Sequence, residues 1–252
     1  GQSMNDLDAA TLGFLALALV LGGLTKGFGG SGLPTVSVAV MAIVIDAPTA
    51  VALMPVPLLV ANARQAFRGG YFRGAIRSFW PLLLCLPVGT LLGVRLLTGM
   101  DPKTVTGLVG VIVVAFATLS QFRFDWRLSP RRDRQLQPFV GLSAGLIGGI
   151  SSIFAPPIVM HMLALRLPKD EFVGTVGLAY LVGLVPMALA LAGFGRLGQT
   201  ELIWGVAALL PVLAGMFLGE RLRGHVSEAL FRRALLILLL LSGLNLIRQA
   251  IV

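Results

Sequence analysis

Lys26 stands directly ahead of a run of glycines, Gly27, Gly29, Gly30 and Gly32, that holds Ser31 and is closed by Pro34. A second stretch, "GGISSIFAPP", has Ser151 and Ser152 where the first has Gly29 and Gly30, and Pro156 where it has Pro34. Glycine tolerates positive φ and proline cannot continue a helix ladder, so each stretch should break a helix and leave amide N–H groups open. A new helix starting near either proline would add the positive end of its dipole, and the two together attract anions. Lys26 has no acidic neighbour in sequence, and an anionic substrate would supply the missing charge. If the span ended early, Lys26 would instead snorkel to an interface.

Other polar residues are open to two readings. Asn62 and Gln65, three apart, could present two carboxamides on one helix face and donate to an oxyanion without adding charge, or be solvated at a helix end. His161 could relay protons in an ion-coupled cycle, while a bond to a neighbour's carbonyl is the plainer account. Ser31 lies in "GGSG", similar to the Gly-x-Ser-Gly element of rhomboid-type intramembrane proteases, and would need His161 or His225 as its base. The second stretch has Ile153 opposite Ser31, which a repeated carrier tolerates and a protease gives no reason for, so we read no enzyme. Nothing in the pattern implies a cofactor or a metal.

These residues sit in a chain that is 56% hydrophobic and 12% charged, with mean hydropathy +0.90, against about 25% charged residues in a soluble domain. That composition is an integral membrane protein's. Apolar runs fall at about 11–31, 33–45, 47–67, 76–97, 103–122, 138–153, 155–166, 171–193, 201–221 and 227–250. The second and seventh are too short for a hydrocarbon core that takes roughly 20 helical residues. The expected fold is all-α and polytopic, with one membrane domain: a first repeat over 4–122, a basic cytoplasmic linker over 123–137 and a second repeat over 138–252.

The net charge of +9 does not point to nucleic acid, because the arginines cluster in short loops. Arg64, Arg68, Arg73 and Arg77, then Arg123 to Arg134 around Asp125 and Asp133, then Arg166 with Lys169, then Arg221, Arg223, Arg232 and Arg233 all fall on one side. The alternate loops carry Asp46, Asp101 with Lys103, and Arg196 with Glu201. The positive-inside rule then expects both termini outside the cytoplasm. Gly1 to Ser3 ahead of Met4 read as added residues, and the acidic approach to the first run reads as a retained span rather than a cleaved signal. Cys85, the lone cysteine, reads as packing.

The halves align without gaps from Gly23 and from Gly145, and "GTLLGVR" from Gly89 matches "GMFLGER" from Gly215. Two matches in the same order indicate a repeat. Each half crosses an odd number of times, whether its first two segments cross or re-enter, so the repeats, of about five segments each, are expected to be inverted. Inverted repeats with short or broken segments at matching positions mark secondary transporters, with substrate held near the midplane at the repeat interface. An anion channel of the same architecture is the alternative. The pairs Gly89/Gly93 and Gly215/Gly219 read as close helix packing, followed by Arg95 and Arg221 as interfacial anchors.

"KGFGGSGLPTVSVAVM", then "NARQAF", then "GLIGGISSIFAPPIVMHMLALRLPKDEFVGTVGLAYL" resemble the TauE/SafE family of sulfite exporters over nearly the whole chain. Its most specific elements are carried by Lys26, Gly27, Gly32, Leu33, Pro34 and Thr35, with Asn62 and Gln65 following. The resemblance implies a bacterial inner-membrane carrier exporting a small sulfur-containing anion, sulfite or an organosulfonate such as sulfoacetate. The family tends to have more glycine where this chain has Ser151 and Ser152.

Overall fold

The computed structural model describes residues 8–67, 71–121, 128–222 and 225–251, with the side chains of 64, 65, 169, 170 and 228 left out. Arg68, Arg123, Asp125, Arg127 and Arg223 of the basic loops, and residues 1–4, lie outside it. The described residues form twelve helices: α1 Ala9–Gly29, α2 Leu33–Met41, α3 Ala47–Ala52, α4 Pro55–Ala66, α5 Phe72–Gly99, α6 Pro102–Leu119, α7 Pro130–Ser151, α8 Ala155–Ala164, α9 Lys169–Gly193, α10 Gln199–Ala207, α11 Leu209–Leu222 and α12 Glu228–Ile251. Six spans within them are long and apolar enough to cross a membrane, with α10 and α11 counted together. The fold is all-α, and each expected segment has a helical counterpart. Part of the expected linker is helical too, since α7 starts at Pro130.

Local chemistry explains the helix starts. Asp8, Asp46 and Asp101 each precede a helix and accept the amide of the threonine three residues on, Thr11, Thr49 and Thr104. Such caps satisfy an orphan donor and each contributes about 1 kcal/mol. All three belong to loops that the charge pattern puts on the acidic side. Inside α5, Phe79 leaves helical geometry at φ −116°, two residues before Pro81, whose ring cannot accommodate the preceding turn.

Two compact units divide the chain. The first consists of the described residues within Gly1–Pro57, Met100–Gln121 and Arg196–Val252, the second of those within Leu58–Gly99 and Phe122–Gly195. Neither follows a sequence half. In the first unit α1 packs on α11, and α6 packs on α12. In the second, α5 packs on α7 and α9.

The α1–α11 and α5–α7 contacts are made by glycine against backbone. A Cβ on Gly23 would strike the carbonyl of Val212 and one on Gly27 that of Met216; in return, Gly215 lies on the carbonyl of Val20 and Gly219 on that of Leu24. In the second unit Gly145 lies on the Leu86 carbonyl, Gly149 on Thr90, Gly89 on Leu142 and Gly93 on Leu146. Under the alignment of the halves these are the same four contacts: Val20 matches Leu142, Leu24 matches Leu146, Leu86 matches Val212 and Thr90 matches Met216. The packing reading of these glycine pairs therefore holds, because only glycine lets two helix backbones approach this closely.

Candidate functional site

The helix α1 ends at Gly29, and Gly30 caps it at φ 80°, its N–H donating to the Lys26 carbonyl at 2.7 Å. Gly32, at φ 99°, precedes α2 and offers no side-chain cap, and Pro34 is the second residue of α2. Both glycines hold left-handed backbone at no steric cost. The second break repeats the device: Ser152, at φ 63°, caps α7 by donating its N–H to the Gly148 carbonyl at 2.6 Å, and Pro156 is the second residue of α8. Gly30 aligns with Ser152, Lys26 with Gly148 and Pro34 with Pro156. Uninterrupted helices through either stretch are thereby excluded.

Each half-helix folds back along its predecessor. Leu33 and Ser37 of α2 lie against Gly22 of α1, and the Ser37 hydroxyl approaches the Ala18 carbonyl at 3.4 Å. Gly22 is seven residues before the end of α1, about 10 Å of helix rise. The linker 30–32 thus climbs back beside α1 before α2 begins, which sets the start of α2 inside the unit. In the second unit α8 returns along α7 until Nε2 of His161 meets Oδ1 of Asp133 at 2.8 Å, and the Leu128 amide donates to the Ala164 carbonyl at 3.2 Å. Segments two and seven are therefore the return arms of hairpins within their own units.

The two breaks differ in what their polar groups do. At the first, Lys26 is 6% exposed, Gly30, Ser31, Gly32 and Pro34 are half-buried, and Gly29 is exposed. The amide-rich start of α2, without a capping side chain, thus stands two turns inside the end of a helix that buries an ammonium-bearing side chain. At the second, Ser151 donates its hydroxyl to the Ile147 carbonyl at 2.7 Å and accepts from the Ile153 amide at 3.1 Å. Its donor is therefore engaged in ending α7. The Ser152 hydroxyl lies 3.9 Å from the Met187 sulfur. Phe154 closes over this break, its ring against Gly148 and Gly183 and tilted towards Tyr180. Ser151, Ser152, Ile153 and Phe154 are all buried, while Pro156 is half-buried. The first break is the open one, and it is the better candidate for a ligand.

Asn62 is buried in α4 and donates Nδ2 to the Leu58 carbonyl at 2.8 Å, so part of its donor capacity is spent on its own helix. The side chain of Gln65 lies outside the described residues. His161 requires a correction: its partner is the Asp133 carboxylate rather than a neighbour's carbonyl. Gln137, buried one turn further along α7, donates to Asp133 at 3.1 Å and to the Ser78 carbonyl of α5 at 3.1 Å. Arg134 lies 5.0 Å over the ring of Trp80, so the start of α7 is tied to α5 twice. Sequence reading left Asp133 as one of two acidic residues in a basic loop; the one available signal was Asp133 and Gln137 four apart on a common helix face. His225, the other candidate base for Ser31, bonds the Arg221 carbonyl through Nδ1 at 3.0 Å.

Among curated proteins, one described as the probable inner membrane transporter protein TsaS of Comamonas testosteroni is 28% identical over 202 residues, 78% of this chain and 80% of the relative. No solved structure matches the chain. The family model described as sulfite exporter TauE/SafE matches residues 15–246, nearly the whole array of helices laid out above, and the chain belongs to that family.

Proposed function

We propose that this membrane transporter of the TauE/SafE type exports a small sulfur-containing anion, sulfite or an organosulfonate such as sulfoacetate, by alternating access. The observation that carries the reading is the first break: a half-helix begins without a capping side chain beside buried Lys26. An anion there satisfies orphan amides, meets the positive end of the dipole and is attracted by the charge of buried Lys26. The matching contact sets of α1–α11 and α5–α7 support an internal repeat, and the repeat is read as inverted from the parity of crossings. Inverted repeats then expose the bound anion to each side in turn. The setting is a bacterial inner membrane, as in the name of the relative, with both termini periplasmic by the positive-inside rule.

An inside-negative potential already drives such an anion outward, by about 2.3 kcal/mol per charge per 100 mV, so export needs no obligatory coupling ion. His161 is the candidate proton carrier should a coupled ion be found.

The test is flux in proteoliposomes. Saturable sulfite or sulfoacetate flux with counterflow is the expected result. Flux that stays linear in concentration and shows no counterflow would identify a channel instead, and absence of flux for both anions would overturn the substrate class.

A further inference from the structure

The first turn of α2 carries a hydroxyl that none of the described residues engages. Thr35 is its third residue and 0% exposed, and its Oγ1 has no hydrogen-bond partner among the described residues. Three other buried helical threonines dispose of the same group locally: Thr25 donates to the Gly22 carbonyl at 2.7 Å, Thr90 to Leu86 at 2.9 Å and Thr106 to Pro102 at 2.8 Å, whereas Thr175 of α9 shares the unpartnered state. That back-bond to a carbonyl three or four residues earlier is the usual resting place of a buried threonine hydroxyl. At Thr35 those positions are Ser31 and Gly32, inside the break, where the chain is not helical. The interruption that opens the α2 amides therefore also leaves this hydroxyl without a partner.

Its direction follows from helix geometry. Each Cα–Cβ bond tilts towards the helix N-terminus, so a side chain at the third position leans towards the break. A buried hydroxyl without a bond costs free energy in the resting protein, and such groups are kept where a ligand or a water completes them. Gly32 has no side chain to do so.

We propose that Thr35 is a specificity-determining residue of the transporter, its hydroxyl donating to an oxygen of the sulfonate or sulfite group held at the start of α2. This rests on the anion-export reading and deepens it by naming a further contact. The α2 amides attract any small anion, whereas a hydroxyl fixed one turn in favours an anion whose oxygens spread from a central sulfur. The two donors would then take different oxygens of one group.

Thr35→Val replaces the hydroxyl by a methyl of the same shape, and Thr35→Ser restores it. Sulfite and sulfoacetate affinity is read from saturation of flux in proteoliposomes and from the ligand-induced rise in Tm of purified protein. For Thr35→Val the expected result is affinity weaker by about tenfold to a hundredfold, the range for a hydrogen bond to a charged group, with Thr35→Ser within about threefold of wild type. The ligand-free Tm of Thr35→Val should equal or exceed that of wild type, because an unsatisfied buried donor has gone. Wild-type affinity in a folded Thr35→Val protein overturns the assignment and leaves anion export standing. A wild-type protein that neither carries nor is stabilised by either anion overturns both.

Discussion

The carboxylate of Asp133, in the first turn of α7, lies 2.8 Å from the Nε2 atom of His161, near the end of α8. About 27 Å of helix rise separates Asp133 from Ser151, and the short α8 with its linker retraces it. The contact joins the two ends of a hairpin whose tip is the second break. The His161 side chain is 2% exposed and that of Asp133 20%, so the bond is sheltered without being sealed.

A double-mutant cycle with His161→Gln and Asp133→Asn should give a coupling of about 1 kcal/mol in thermal or chemical unfolding. His225→Gln, on an exposed histidine, supplies the control and should change stability by less than about 0.5 kcal/mol. Additive effects of the first two would mean that the hairpin closes without this pair.

The glycine seams predict a sharp positional contrast. Gly27→Ala and Gly149→Ala each push a Cβ into a partner backbone, Met216 and Thr90 respectively, and should destabilise by about 1–3 kcal/mol or shift the helices apart. Gly13→Ala, in α1 with nothing near its new Cβ, should be neutral or stabilise by up to about 1 kcal/mol. Denaturation midpoints of the three purified variants decide it, and equal midpoints would contradict the packing.

Ser152 holds a left-handed backbone at φ 63° where its counterpart is a glycine at φ 80°. Ser152→Gly should therefore leave the break intact and raise Tm, by the equivalent of about 1 kcal/mol of relieved strain. Gly30→Ala imposes the same strain on the first break and should lower Tm by a similar amount. A fall in stability for Ser152→Gly would mean that contacts of its hydroxyl outweigh the strain.

Lys26 is buried in the last turn of the helix that precedes the open break. Lys26→Met keeps the aliphatic stem and removes the charge, so it should weaken sulfite affinity by tenfold or more in proteoliposome flux while the protein stays folded. Lys26→Arg should retain part of the affinity. Unchanged sulfite affinity in Lys26→Met would remove the ammonium from the anion site.

The sequence alone determined the class of protein, most segment boundaries to within a few residues and the two breaks, because each depends on local chemistry; the start of α7 at Pro130, against the expected 138, is the exception. Apolar runs of helical length have no alternative in lipid, and a glycine cluster closed by proline cannot carry a helix ladder. The positional match of Gly23 and Gly27 with Gly145 and Gly149 was legible there too. Which helix lies against which was decided only in three dimensions. The first hairpin packs α1 on α11 of the other half, and the second packs α7 on α5, because glycine faces state that a close neighbour exists without naming it. The roles of individual polar groups were likewise a tertiary matter. Ser151 spends its hydroxyl on ending α7, and Asp133 leaves the loop charges to meet His161, while Thr35 is left with a donor to give. A hydrogen bond depends on where two atoms end up, and residues 28 apart in sequence acquire that relation only once α8 has folded back along α7.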